Sequence, residues 1–150
     1  MALGIDYPPI PVAIAPVRDN QVFVVYQDRS CTLWDSDLDT AKILEEYAGI
    51  RGAVNSLTAF EQNTVISGST DGTCRVWELD KAENCNGILE SSITYSGHIN
   101  ANGDRSPRVN DLAMVEGGHS VVSGDSDGSV HVWRVDMLSS SKQSALSNEV

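Results

Sequence analysis

Positive charge is scarce in this chain. Its 150 residues hold 10 lysines and arginines against 21 aspartates and glutamates, a formal net charge of -11. Gripping a nucleic-acid backbone or an anionic lipid surface takes a basic footprint, so nucleic acid is not an expected partner and lipid docking is disfavoured. Cysteine is scarce too: Cys31, Cys74 and Cys85, an odd number with no CxxC pair. That pattern implies neither a disulfide framework nor a zinc site, and reduced thiols in an intracellular compartment, cytoplasmic or nuclear, are the expectation. Long apolar runs are missing: none approaches the roughly 20 residues that span a bilayer, so direct membrane insertion is not expected. The opening "MALGIDYPPIPVAIAPVRD" is apolar but broken by four prolines and lacks a basic leader, and reads as mature chain.

What is present is repetition. Hydrophobic content of 41% and charged content of 21% are those of one globular domain with a core. Three stretches align on tryptophan: "VFVVYQDRSCTLWDSD", "TVISGSTDGTCRVWELD" and "SVVSGDSDGSVHVWRVD", centred on Trp34, Trp77 and Trp133. Six residues before each tryptophan stands an aspartate, Asp28, Asp71 or Asp127. Gly72 and Gly128 follow the second and third, and Arg29 takes that place in the first. Asp-Gly supplies the positive φ of a tight turn, and the flanking β-branched runs supply two antiparallel strands. "AVNSLTAF" and "RVNDLAMV" read as strands upstream. Ala41–Tyr47 and Ile88–Tyr95 read as fourth strands downstream, although "AKILEEY" is helical by propensity alone.

Four strands per unit, a period of roughly 40–45 residues and a terminal Trp-Asp resemble the WD40 repeat family. Trp34-Asp35 is a literal match; Trp77-Glu78 and Trp133-Arg134 are relaxed ones; Gly97-His98 matches the family's Gly-His dipeptide. The resemblance implies an all-β fold of β-propeller blades over 10–136: units at 10–50, 51–98 and 99–136, the last incomplete. Residues 1–9 form an N-terminal segment that could add a strand, and 137–150 a polar, disordered tail. It also implies a hydrogen-bond network. In the third unit this maps to His98, Ser123, Asp127 and Trp133; the second offers Ser67, Asp71 and Trp77; the first offers Asp28 and Trp34, with Val24 in the serine place. A fainter likeness points to the C-terminal propeller of the class III phosphatidylinositol 3-kinase regulatory subunit and to BEACH-type trafficking proteins.

Three units do not close a ring, since propellers have about four to eight blades. The chain is therefore expected to be a piece of a larger propeller or to complete one with other chains. Alone, it should self-associate or melt with low cooperativity, because its end strands have open edges.

Candidate chemistry has structural competitors. His98, Asp111 and Ser123 contain the residue types of a hydrolase triad, but no G-x-S-x-G elbow is present. "DSDG" at 125–128 has part of a calcium loop, but a strand follows where the ligands should continue. "SGSTDG" lacks the spacing of a P-loop. No catalytic residue, metal or cofactor is expected. Cys31 and Cys74 are equivalent core positions. His119 and His131 have no partner at ligand spacing; His131 should face solvent or an adjacent sheet, opposite Val130 and Val132. The insertion "INANGDRSPR" brings Arg105 and Arg108 into a cation-poor chain, and Arg51 lies in the matching loop before the second unit. These three are the candidate partner-binding residues, and other proteins are the expected partners.

Overall fold

A computed structural model describes residues 9–17, 20–35, 40–44, 46–48, 52–60, 63–79, 88–99, 107–115, 117, 119–135 and 146–149. The first sheet runs in the order β1 (Pro11–Pro16), β2 (Gln21–Tyr26), β3 (Cys31–Asp35) and β4 (Thr40–Leu44). A short β5 (Glu46–Ala48) then leaves for the next sheet, formed by β6 (Val54–Phe60), β7 (Thr64–Ser69), β8 (Cys74–Glu78) and β9 (Ile88–Tyr95). The third sheet holds β10 (Val109–Met114), β11 (Ser120–Asp125), β12 (Val130–Arg134) and β13 (Leu146–Glu149). Neighbouring strands within each unit are antiparallel.

Equivalent residues adopt equivalent geometry. Val22 faces Trp34, Val65 faces Trp77, and Val121 faces Trp133. Each inner strand carries a register break near its start, at Pro11/Ala13, Val54/Ser56 and Val109/Asp111. The central turns share a left-handed residue: Arg29 at φ 70°, Gly72 at 85° and Gly128 at 88°. Glycine adopts that conformation freely, whereas arginine there costs on the order of 1 kcal/mol.

Period-two alternation gives each sheet two apolar faces, and the sheets stack face to face. Ala15, Phe23, Val25 and Cys31 of the first unit pack with Val54, Val65, Trp77 and Leu79 of the second. Phe60, Ile66, Cys74, Val76 and Tyr95 of the second pack with Val109, Leu112, Val121 and Trp133 of the third. Each tryptophan thus lies on the face toward the preceding unit. Trp77 and Trp133 are 2% and 0% exposed, whereas Trp34, on which no sheet of the described residues packs, is 38% exposed. Full burial of a tryptophan removes about 150–250 Å² from water, on the order of 4–6 kcal/mol before entropy is counted. Burial also pushes the Cys31 and Cys74 thiols up to about 12, so both are inert filler in these cores.

Two sequence expectations need correction. Residues 41–47 do not form one fourth strand: Thr40–Leu44 pairs with β3, while Glu46–Ala48 pairs in parallel with β9 of the next sheet. The third unit is not missing its outer strand, and residues 146–149 are not disordered tail. Leu146–Glu149 pairs with His131–Arg134, because the free edge of β12 accepts even a polar strand through backbone hydrogen bonds. The remainder of the tail and residues 1–8 lie outside the described residues.

Candidate functional site

The polar residues singled out by the repeat meet where the second and third sheets pack. Strand β11 alternates Val121, Ser123 and Asp125 inward, all buried. His98, in the turn after β9, reaches across to them. Its Nε2 lies 2.7 Å from Ser123 Oγ and its Nδ1 lies 2.7 Å from Asp125 Oδ2. The Trp133 indole N–H donates to the same Ser123 Oγ at 3.2 Å. Burial works to raise the Asp125 pKa. Hydrogen bonds from His98 and from the Ser129 and Asp127 N–H groups outweigh it and hold the carboxyl below its ordinary 3.8.

Asp125, not Asp127, is therefore the carboxylate of this network. In the first two units the turn aspartate accepts the N–H two residues on: Ser30 to Asp28 at 2.9 Å and Thr73 to Asp71 at 2.9 Å. In the third, Asp125 takes that work, accepting from Asp127 N and Ser129 N at 2.9 Å each, and Asp127 is exposed. The second unit pairs Trp77 Nε1 with Ser67 Oγ at 2.8 Å. In the first, with Val24 in the serine place, Trp34 Nε1 finds Tyr26 Oη at 3.4 Å instead.

Tyr95 and His131 complete the network. Tyr95 stacks on Trp133, with ring centroids 4.9 Å apart and planes within 6°. Its hydroxyl lies 2.8 Å from His131 Nδ1, and the His131 ring stacks on His98 at 4.0 Å. His131 is 3% exposed. Of the two surroundings expected for it, the adjacent sheet holds. The signal was available: His131 and Trp133 are two apart on one strand and so share the face that packs on the preceding unit.

Asp125–His98–Ser123 has the connectivity of a nucleophile, its base and an orienting carboxylate. Its surroundings do not suit that chemistry. Ser123 is 0% exposed, His98 3%, and the indole N–H already occupies the serine oxygen. A reacting carbonyl needs a space about 3 Å from the nucleophile, and here the Trp133 indole stands 3.2 Å from a serine oxygen that is fully buried. Asp111, the other triad candidate, is exposed and bonds the N–H of Leu112 at 2.9 Å, away from His98. His98, Asp125 and His131 offer ligand atoms within 4.8 Å of one another. A cation there would have to break the bonds that both His98 nitrogens make and separate two stacked rings.

The exposed counterpart is the end bearing the central turns. Ser126 Oγ accepts the Arg108 N–H at 3.0 Å, which ties the entry of β10 to that turn, and Arg108 is exposed. Between the first two units, an open groove of about 320 Å³ is lined by Gln27, Asp28, Arg29, Gly52 and Ala53. Arg51 and Arg105 lie outside the described residues. His119 is exposed, and its carbonyl accepts the N–H of Val135 at 2.9 Å.

Three stacked sheets, each built on four antiparallel strands and with Trp77 and Trp133 packed against the preceding sheet, define three blades of a partial β-propeller. The chain matches the family described as "WD domain, G-beta repeat" over residues 42–78 and 89–134, more than half its length, and belongs to that family. It is 26% identical over 138 residues to the cell division control protein 4 of Candida albicans, covering 88% of this chain and 18% of that protein. It is 31% identical over 113 residues to the autophagy-related protein 16 of Arabidopsis thaliana, covering 75% of this chain and 20% of that protein. The chain thus spans about a fifth of these relatives. The crystal structure of the computationally designed Ika4 protein matches with a TM-score of 0.63 and 26% identity, over 87% of this chain and 69% of that one. The fainter likeness to the phosphatidylinositol 3-kinase subunit and BEACH proteins gains no support from these matches.

Proposed function

We propose that the chain is a noncatalytic protein-interaction scaffold, part of a larger propeller, and that it recognises its partner through the exposed end that carries the central turns and Arg108. The observation that carries the reading is burial. The residues with catalytic potential are sealed between blades, where satisfied polar groups stabilise packing. The residues left at the surface belong to turns on a rigid framework, the usual location of recognition. Arg51 and Arg105 join Arg108 in this proposal as anchors for an acidic or polar protein surface. The open first and third blades are compatible with completion by another chain. Buried reduced thiols favour an intracellular setting, and among the described residues no helix is long and apolar enough to cross a membrane.

The test is affinity capture with the intact chain, followed by identification of bound proteins by mass spectrometry. R105A/R108A and R51A should lose a specific partner while keeping the wild-type circular dichroism spectrum. Unchanged recovery in both variants excludes this end as the binding site.

A further inference from the structure

The two ends of the array are not alike, and each carries one half of the contact already made twice inside the chain. In the second blade, Leu57, Val65 and Trp77 lie against the first blade; in the third, Leu112, Val121 and Trp133 lie against the second. Register places Ile14, Val22 and Trp34 on the corresponding face of the first blade, because Ile14 pairs with Val24 and Val22 with Trp34. Among the described residues no blade packs on that face: Ile14 is 59% exposed and Trp34 38%, while Val24 beside them is buried.

The other end shows the reverse. Phe60, Ile66, Cys74 and Val76 are 3% exposed or less beneath the third blade. Their equivalents on the third blade are Val115, Val122, Val130 and Val132, of which Val115 and Val130 are 41% exposed. A glycine pair marks the same vacancy. A Cβ on Gly68 would stand 2.6 Å from Val109 Cγ1 and 2.7 Å from Ser56 Oγ, whereas a Cβ on the equivalent Gly124 meets nothing closer than 4.0 Å. Gly68 is the shape a following blade requires, and Gly124 keeps that shape with no blade of the described residues against it.

We propose that a second copy of this chain covers both ends at once, head to tail, giving a closed six-bladed ring of two chains. The Trp34 face of each copy packs on the Val130 face of the other, repeating the two internal contacts. A partner that satisfies both faces must itself carry both, and this chain does. Two copies of three blades give six, inside the range of closed propellers, and two head-to-tail contacts related by a twofold axis close without leaving an edge. The proposal shares the propeller reading with the scaffold function but uses different surfaces, so it can fail while the Arg108 test succeeds.

Sedimentation of the intact chain should show a dimer at micromolar concentration. Ile14→Asp on one face and Val130→Asp on the other should each weaken it by about tenfold or more, since a charge in an apolar contact removes an anchor. Both residues are exposed in the single chain, so the variants keep its fold, as amide-exchange protection of β7 and β11 will confirm. Mixing the two variants should restore a dimer, because one of its two contacts joins two intact faces. A monomer at tens of micromolar, an unlimited ladder of species, or variants that stay monomeric when mixed would each overturn the proposal.

Discussion

Ser123 is the residue on which the junction between the second and third blades turns, and Ser123→Ala gives the sharpest energetic prediction. Its Oγ meets both His98 Nε2 at 2.7 Å and Trp133 Nε1 at 3.2 Å, in a site with no water access. Alanine removes no significant volume but strands two buried polar groups. Each stranded group costs about 1–3 kcal/mol, so the expected loss is about 2–6 kcal/mol. At about 2–4 °C per kcal/mol for a chain of this size, the thermal midpoint should fall by about 4–24 °C. Ser67→Ala takes one bond, from Trp77 Nε1 at 2.8 Å, and should cost about 1–3 kcal/mol. Urea unfolding followed by tryptophan fluorescence measures both. Repeating Ser123→Ala in a His98→Phe background should reduce its effect, giving a coupling of about 1–2 kcal/mol. If Ser123→Ala costs no more than Ser67→Ala and shows no coupling to His98, the network reasoning is wrong.

The remaining predictions concern backbone space, turn strain and acid. Gly68→Ala should destabilise by about 1–3 kcal/mol because its Cβ has no room, while Gly124→Ala should stay within about 0.5 kcal/mol in the single chain; paired urea curves decide this. Arg29→Gly should raise the thermal midpoint, since Arg29 holds φ 70° where Gly72 and Gly128 sit freely; an unchanged or lower midpoint argues against strain there. The Asp125 carboxyl is held below its ordinary 3.8 in the folded chain and returns to about 3.9 on unfolding. Its contribution is therefore present above about pH 4 and is lost as pH falls through the depressed folded value. Asp125→Asn should flatten that acid limb of the stability-versus-pH curve, measured by chemical denaturation between about pH 2 and 6.

The fold was legible because the repeat repeats its chemistry. Tryptophan, turn aspartate and β-branched strands recur at fixed offsets, and the register of all three units follows them. The partner strands were less legible, because outer strands are held by backbone pairing that leaves little mark on side chains. "AKILEEY" divides between two sheets, and the polar 146–149 completes the third. The site was half legible. Ser123, His98 and Trp133 stood at repeat positions, but "SGDSDG" holds two aspartates, and the extent of strand β11, which reaches Asp125, decides which one faces inward. The role of Tyr95 is not legible in the sequence because it arises across the blade junction, where the ring stacks on a tryptophan 38 positions away.

The proposed scaffold role makes Asp125, His98 and Ser123 a packing network that does no chemistry, despite their triad connectivity. The most direct test is to treat the native chain with a fluorophosphonate and read intact mass. No adduct is expected at Ser123, because its oxygen is buried and bonded to the Trp133 indole. Stoichiometric labelling of Ser123, abolished by His98→Ala, would contradict it.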